Sequence, residues 1–131
     1  MAGEPQVRQA ANLLQDACHG ASRQAGWWGD HIPELRGRTR LGLALAAEKL
    51  CLVHSEVSEA MEGLRKDSQD THLQHRKMFE VELADAVIRI FDLAGAMGFD
   101  LGGAITEKLT YNATRADHTA AARKAAGGKA F

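Results

Sequence analysis

Two acidic pairs, each spaced to share one face of a helix, are the residues of this chain best suited to chemistry. Glu56 and Glu59 form the first pair, and Glu82 and Asp85 form the second. Residues three apart in a helix lie side by side, about 5–6 Å apart at Cβ. We therefore expect two neighbouring helices to bring four carboxylates together.

Carboxylates that are brought together away from solvent repel one another, and each loses its hydration energy. A bound cation compensates both effects. Ligands that are all oxygen favour a hard ion, so the pattern indicates Mg²⁺, for which Mn²⁺ can substitute. A di-iron bundle would need Glu-x-x-His on two helices, and no Glu of this chain precedes a His by three residues. The alternatives to a metal site are a solvated acidic face and neutralisation of Asp85 by Arg89.

The spacing of apolar residues predicts an all-α fold, a bundle of the four-helix type. We expect helices at residues 5–23, 41–64, 77–97 and 101–115, with an irregular connection at 27–33 and a solvated one at 65–77. The third helix is apolar on nearly all sides, which is typical of a helix at the centre of a bundle or an oligomer. The sequence thus predicts one helical domain over residues 1–118 and a mobile, basic C-terminal tail over 119–131.

The composition is that of one soluble globular domain. The chain has 131 residues, 45% of them hydrophobic and 25% charged, and a net charge of −1, which disfavours nucleic acid as a partner. Cys18 and Cys51 lack C-x-x-C spacing and are expected to be reduced and buried. We see no signal peptide and no membrane-spanning segment, so we expect a cytoplasmic protein without a membrane partner.

Three segments, in this order, resemble the motifs of a known family. They are residues 52–65 (LVHSEVSEAMEGLR), 82–90 (ELADAVIRI) and 108–115 (KLTYNATR). They are similar to the first acidic helix, the E-x-x-D helix and the Lys…Tyr-Asn-x-x-Arg segment of the MazG-like, all-α nucleoside triphosphate pyrophosphohydrolases. The likeness spans roughly residues 40–118, more than half of the chain.

The resemblance implies Mg²⁺-dependent cleavage of a nucleotide between its α and β phosphates, giving a nucleoside monophosphate and pyrophosphate. Such an enzyme would serve house-cleaning or control of the nucleotide pool, and would assemble as a homodimer or homotetramer. Glu56, Glu59, Glu82 and Asp85 would be its catalytic metal ligands. The alternatives are a dUTP or phosphoribosyl-ATP pyrophosphatase of the same superfamily, and a non-catalytic helical module that senses a nucleotide or binds a partner.

The resemblance also implies residues that bind the substrate. Lys108, Asn112 and Arg115 share one helical face and would present two cations and an amide to a polyphosphate, where otherwise an ordinary polar face is expected. Tyr111 lies one position away and would pack or touch the ligand. Trp28 would stack on the base; the alternative is that it packs at the end of the bundle, as we expect for Trp27.

Overall fold

A computed structural model describes residues 3–130, and its regular structure is helical. Its elements are α1 (Glu4–Gln24), α2 (Ile32–Arg36), α3 (Arg40–Lys66), α4 (Met78–Met97), α5 (Leu101–Thr114), a 3₁₀ turn (Ala116–His118) and α6 (Ala120–Lys124). Strand-like pairing among residues 3–130 is limited to an isolated bridge between Gln69 and Lys77. The all-α prediction is therefore confirmed.

The four long helices begin and end within two residues of the predicted positions. The side chains of Thr39 and Asp100 explain two of the starts, because each accepts a hydrogen bond from a backbone N–H in the first turn of its helix. Gly98, with φ of 72°, ends α4 in the left-handed conformation that glycine adopts easily.

Two short helices were not predicted. The connection expected to be irregular includes the start of α2, where Pro33 lies in the first turn, a position that proline suits. Thr119 caps α6, which lies inside the segment expected to be mobile. The mobility of that segment stays a prediction.

The chain divides into two compact units, one of residues 13–99 and one of residues 3–12 with 100–130. In the larger unit, α3 and α4 pack against each other and run antiparallel: Gly63 lies against Phe79 near the turn, and Glu56 bonds Arg89 farther away. The helix α2 packs on both, and its Leu35 is buried. This helix pair carries all four acids predicted to bind metal.

The connection between α3 and α4 is ordered around a buried carboxylate. Asp70 is 7% exposed and accepts hydrogen bonds from the backbone N–H groups of His72 and Leu73, at 2.9 and 2.6 Å. These bonds from Leu73 and His72 hold the pKa of Asp70 below its usual value. The prediction that this whole connection is solvated is wrong at Asp70, because the turn folds its own N–H donors onto that side chain.

The smaller unit joins the first turns of α1 to α5. Arg8 forms an ion pair with Asp100, and the Thr110 hydroxyl donates to Glu4 at 2.5 Å. Gly102 approaches α1 so closely that a Cβ there would lie 2.9 Å from the Arg8 carbonyl oxygen. The two chain segments of this unit thus meet through ion pairing and a close backbone approach.

Both cysteines are free thiols, Cys18 half-buried and Cys51 exposed. The prediction that both are buried is therefore wrong for Cys51, which lies on an open face of α3. Burial, followed by the nearby Asp92 carboxylate, raises the pKa of Cys18.

Within residues 3–130, none of the helices has both the length and the apolar character needed to cross a bilayer.

Gly42 tests the contact between α2 and α3. A Cβ at this position would lie 2.0 Å from the Glu34 carbonyl oxygen, so Gly42→Ala forces the two helices apart. We expect it to lower the free energy of unfolding by roughly 1–3 kcal/mol, the usual cost of overpacking, measured by urea denaturation. The matched control is Gly20→Ala, because a Cβ at Gly20 meets nothing within 4 Å. Equal or greater stability of Gly42→Ala would contradict this packing.

Candidate metal centre and adjoining cavity

The antiparallel pair α3 and α4 brings three of the predicted acids together. Glu56, Glu59 and Glu82 each offer a carboxylate oxygen, and these three oxygens all lie within 4.8 Å of one another. Glu56 and Glu82 are buried at 7% and 8% exposure, whereas Glu59 is exposed. The spacing of three residues on α3 therefore places two acids opposite Glu82, as the sequence predicted.

Burial and repulsion together disfavour a negative charge on Glu82. Burial is the main cause that raises its pKa to about 7, and the carboxylates of Glu59, Glu56 and Asp85 add to the shift. Near neutral pH, Glu82 is therefore neutral in a substantial fraction of molecules. A cation among these oxygens would offset the repulsion between the carboxylates and favour the ionised form of Glu82.

Asp85 lies beside this group rather than among the three acids that fall within 4.8 Å. It is half-buried, and its pKa is raised first by burial and then by the charge of Glu56, while Arg89 opposes the shift. It also lines the cavity described below. Its role as a fourth metal ligand stays a prediction.

Arg89 binds Glu56, not Asp85 as the alternative reading of the sequence had it. Its Nε donates to Oε1 of Glu56, and its side chain is 41% exposed. The sequence could not distinguish these partners, because Asp85 is four residues away on the same helix and Glu56 is on the neighbouring one. A single guanidinium offsets one carboxylate of the group and leaves the others uncompensated.

A cavity of about 820 Å³ adjoins the carboxylates in the larger unit. It falls within the range of roughly 300–1,000 Å³ that is usual for small-molecule sites. Its lining consists of Ala17, Cys18, Ala21, Ser22, Trp27, Trp28, Glu48, Lys49, Leu52, Glu56, Asp85, Ile88, Arg89, Asp92 and Leu93. The cavity thus combines an apolar wall with acids and two cations.

Asp92 holds a hydrogen-bond network in the cavity wall. Its Oδ1 accepts from Trp28 Nε1 at 2.8 Å and from His19 Nδ1 at 2.9 Å. Asp92 lies seven residues after Asp85, but this role was not predicted from the sequence, since both donors come from distant parts of the chain. The sequence signal that could have indicated a role for Asp92 is its position two turns after the predicted ligand Asp85, on the same face of the helix.

The structure packs Trp28 in the core of the larger unit, at 3% exposure, together with Leu35 and Ala96. The Lys49 ammonium lies 4.8 Å from the centroid of the Trp28 ring. Little of that ring is left for a base to stack on. Trp27, for which packing was expected, is 74% exposed and lines the same cavity, so it offers the aromatic face that the prediction assigned to Trp28.

The predicted phosphate-binding residues belong to the smaller unit, where three of them form a cluster. The Lys108 ammonium lies 4.7 Å and the Arg115 guanidinium 5.9 Å from the centroid of the Tyr111 ring. Arg115 also donates to both carboxylate oxygens of Asp117, at 2.9 and 2.6 Å. Asn112 lies on α5 with Lys108 and Tyr111, and its buried Oδ1 has no hydrogen-bond partner among residues 3–130.

Comparisons with known proteins give no match: no family model, no curated protein and no solved structure matches this chain. The resemblance in three sequence motifs and the geometry of the site are therefore the grounds for a functional proposal.

The raised pKa of Glu82 predicts how stability depends on pH when divalent cations are absent. The folded state holds this proton more tightly than the unfolded chain, whose glutamate pKa is about 4.3. The resulting stabilisation is complete below that value and is lost as the pH rises through about 7. We expect Tm in EDTA to fall between pH 5 and pH 8, and Glu82→Gln to make this fall smaller.

Glu80→Gln is the control for this experiment, because Glu80 lies on the same helix in an exposed ion pair with Arg76. It should keep the slope of the wild type. An identical slope for Glu82→Gln and the wild type would contradict the assigned environment of Glu82.

Proposed function

We propose that this chain is a Mg²⁺-dependent nucleoside triphosphate pyrophosphohydrolase that cleaves between the α and β phosphates. The observation that carries the proposal is the group of three carboxylates within 4.8 Å of one another beside a cavity of about 820 Å³. The resemblance of three motifs to the MazG-like, all-α enzymes supports the same activity. House-cleaning of the nucleotide pool is the role we propose for it.

The residues present fit a magnesium ion. Glu56, Glu59 and Glu82 supply oxygen ligands alone, which is the donor chemistry of Mg²⁺ and Mn²⁺. Burial is the main cause of the raised pKa of Glu82, and repulsion by the neighbouring carboxylates adds to it; a bound cation would relieve that repulsion. When bound, Mg²⁺ would lower the pKa of a ligated water and offset negative charge on the phosphates.

Hydrolysis requires a water oxygen to bond to phosphorus while the bond from phosphorus to the bridging oxygen breaks. The products are a nucleoside monophosphate and pyrophosphate, and the proton lost by the water needs an acceptor. Asp85 fits this role, because it lines the cavity beside the three carboxylates and its pKa is raised by burial and by Glu56. No covalent intermediate is required.

Cationic side chains would supply positive charge for the phosphates. Arg89 and Lys49 line the cavity, and Arg89 keeps 41% of its side chain exposed while it bonds Glu56. The resemblance also implies that Lys108 of α5 and Arg115, which follows α5, bind phosphate. Guanidinium groups suit phosphate oxygens because their planar donors match them in pairs.

We further propose that the protein is a homo-oligomer. The helices α3 and α4 leave many large apolar side chains 42–57% exposed, far more than scattered surface positions would explain. They are Leu41, Leu43, Leu50, Val57, Met61, Leu64, Leu83, Val87 and Ile90. Covering them with a second copy would remove this apolar surface from water.

The proposal predicts release of pyrophosphate from a nucleoside triphosphate in the presence of Mg²⁺. Glu59→Gln should reduce kcat on the order of 100-fold or more, because it removes one ligand oxygen at the point where the cation offsets charge. Glu59 is exposed, so the fold should survive the change. The measurement is a panel of nucleotides scored for pyrophosphate and for orthophosphate.

Glu62→Gln serves as the matched control for this panel. Glu62 follows Glu59 by three residues, but it pairs with Arg65 and Lys66 on the surface of α3. It should keep nearly full activity. Release of orthophosphate alone would contradict cleavage between the α and β phosphates, and the absence of any turnover would favour the non-catalytic module.

Arg115→Ala tests the part of the proposal that rests on the resemblance. If Arg115 binds phosphate, its loss should raise KM for a triphosphate roughly 10- to 100-fold, the value of one hydrogen bond to a charged group, with a much smaller change in Tm. Arg123→Ala in α6 is the control for loss of a cation from the basic tail. Parallel losses of activity and stability would instead assign Arg115 to its ion pair with Asp117.

A further inference from the structure

We infer that Asp92 selects the base of the substrate. It would favour nucleotides with an exocyclic amino group on the pairing edge of the base, as in cytosine or adenine. It would disfavour those with a carbonyl at the same position, as in uracil or hypoxanthine. This inference rests on the proposed function and names its substrate class.

The orientation of the Asp92 carboxylate is set by the protein. Its side chain is 15% exposed in the wall of the cavity, and the N–H donors of Trp28 and His19 both bind Oδ1. These two bonds occupy the lone pairs of that oxygen. Both hydrogen bonds that the structure gives Asp92 among residues 3–130 end on Oδ1, so Oδ2 is the acceptor left for a ligand.

The position of Asp92 along α4 matches the distance at which the base of a nucleotide would lie when its phosphates are beside Asp85. Asp85 and Asp92 both line the cavity and are seven residues apart, which corresponds to about 10.5 Å along a helix. This is comparable to the length of a nucleoside from its 5′-phosphate to the edge of its base. With the phosphates beside Asp85, the edge of the base would reach Asp92.

The chemistry of a carboxylate then decides which base is accepted. A carboxylate only accepts hydrogen bonds, so an amino group can donate to Oδ2 in a charge-assisted bond. A carbonyl oxygen there would face the negative charge, and the ring N–H beside it in uracil or hypoxanthine would reach Oδ2 only if the base shifted along its edge. The phosphates would be repelled by Asp92 as well, which supports the base as its ligand.

The cavity that contains Asp92 also has apolar and aromatic side chains, which can pack against the two faces of a base. Leu52, Ile88 and Leu93 contribute apolar surface to the same cavity, and Trp27 offers an exposed indole for stacking. A base bound between these side chains would present its edge, not its face, to the carboxylate.

The test compares nucleotides in which an exocyclic amino group is exchanged for a carbonyl and the adjacent ring nitrogen gains a hydrogen. Pyrophosphate release in Mg²⁺ is measured for dCTP against dUTP and for dATP against dITP. We expect wild-type kcat/KM to favour the amino member of an accepted pair roughly 10- to 100-fold, as one charge-assisted hydrogen bond allows. In Asp92→Asn the amide oxygen can accept from Trp28 and His19 while the NH₂ group faces the cavity, so the preference should shrink or reverse.

Glu48→Gln is the matched control, since it makes the same change of acid to amide at an exposed position of the cavity lining. It should leave the ratio within each pair unchanged. If Asp92→Asn does not fold, as judged by circular dichroism, the wild-type ratios decide the question.

Three outcomes overturn the inference. In the first two, the wild type releases pyrophosphate but does not discriminate within either pair, or folded Asp92→Asn keeps the wild-type ratio. Both leave the proposed function intact. In the third, no triphosphate yields pyrophosphate, which overturns the proposed function and the inference together.

Discussion

Repulsion between carboxylates held on two neighbouring helices is the constraint on which this structure depends. Glu56, Glu59 and Glu82 lie within 4.8 Å of one another, and two of them are buried. Arg89 offsets part of this charge, and the raised pKa of Glu82 leaves it neutral in a fraction of molecules near neutral pH. The ion pair with Arg89 and the partial protonation of Glu82 each reduce the electrostatic and desolvation free energy of the cluster without removing it. Apolar side chains at these positions would avoid that free-energy cost altogether. We propose that a bound cation completes this cluster and compensates that cost.

Close packing of helices is what brings these acids together. Glycine at position 63 lets α3 approach the start of α4, where a Cβ would lie 2.8 Å from the Phe79 nitrogen. Gly42 does the same where α3 meets α2. The separation of the helices, and with it the distance between their carboxylates, is therefore set by positions that carry no functional group. The same pair of helices also supplies much of the cavity wall, so one contact between elements positions both the candidate metal ligands and the candidate base pocket.

Local patterns were sufficient to predict the long helices and the meeting of Glu56 and Glu59 with Glu82. Apolar periodicity and helix capping are set by residues that are close in sequence. Two acids three residues apart share one helical face, so when two such helices pack side by side, their acids have few ways to avoid meeting. Partners that are distant in sequence were not predictable in this way. Arg89 pairs with an acid on α3 rather than with one on its own helix, and Asp92 accepts hydrogen bonds from His19 and Trp28. The burial of Trp28 and the exposure of Trp27 have the same cause, because burial is decided by tertiary packing rather than by residue type.

The central claim is that the three carboxylates bind a divalent cation, and binding of Mn²⁺ followed by electron paramagnetic resonance tests it most directly. We predict a saturable signal from bound Mn²⁺ with oxygen ligands, competition by Mg²⁺, and loss of the signal in Glu82→Gln, with Glu80→Gln unchanged. If Mn²⁺ at millimolar concentration remains free in the presence of the wild type, or binds Glu82→Gln equally well, the account is contradicted.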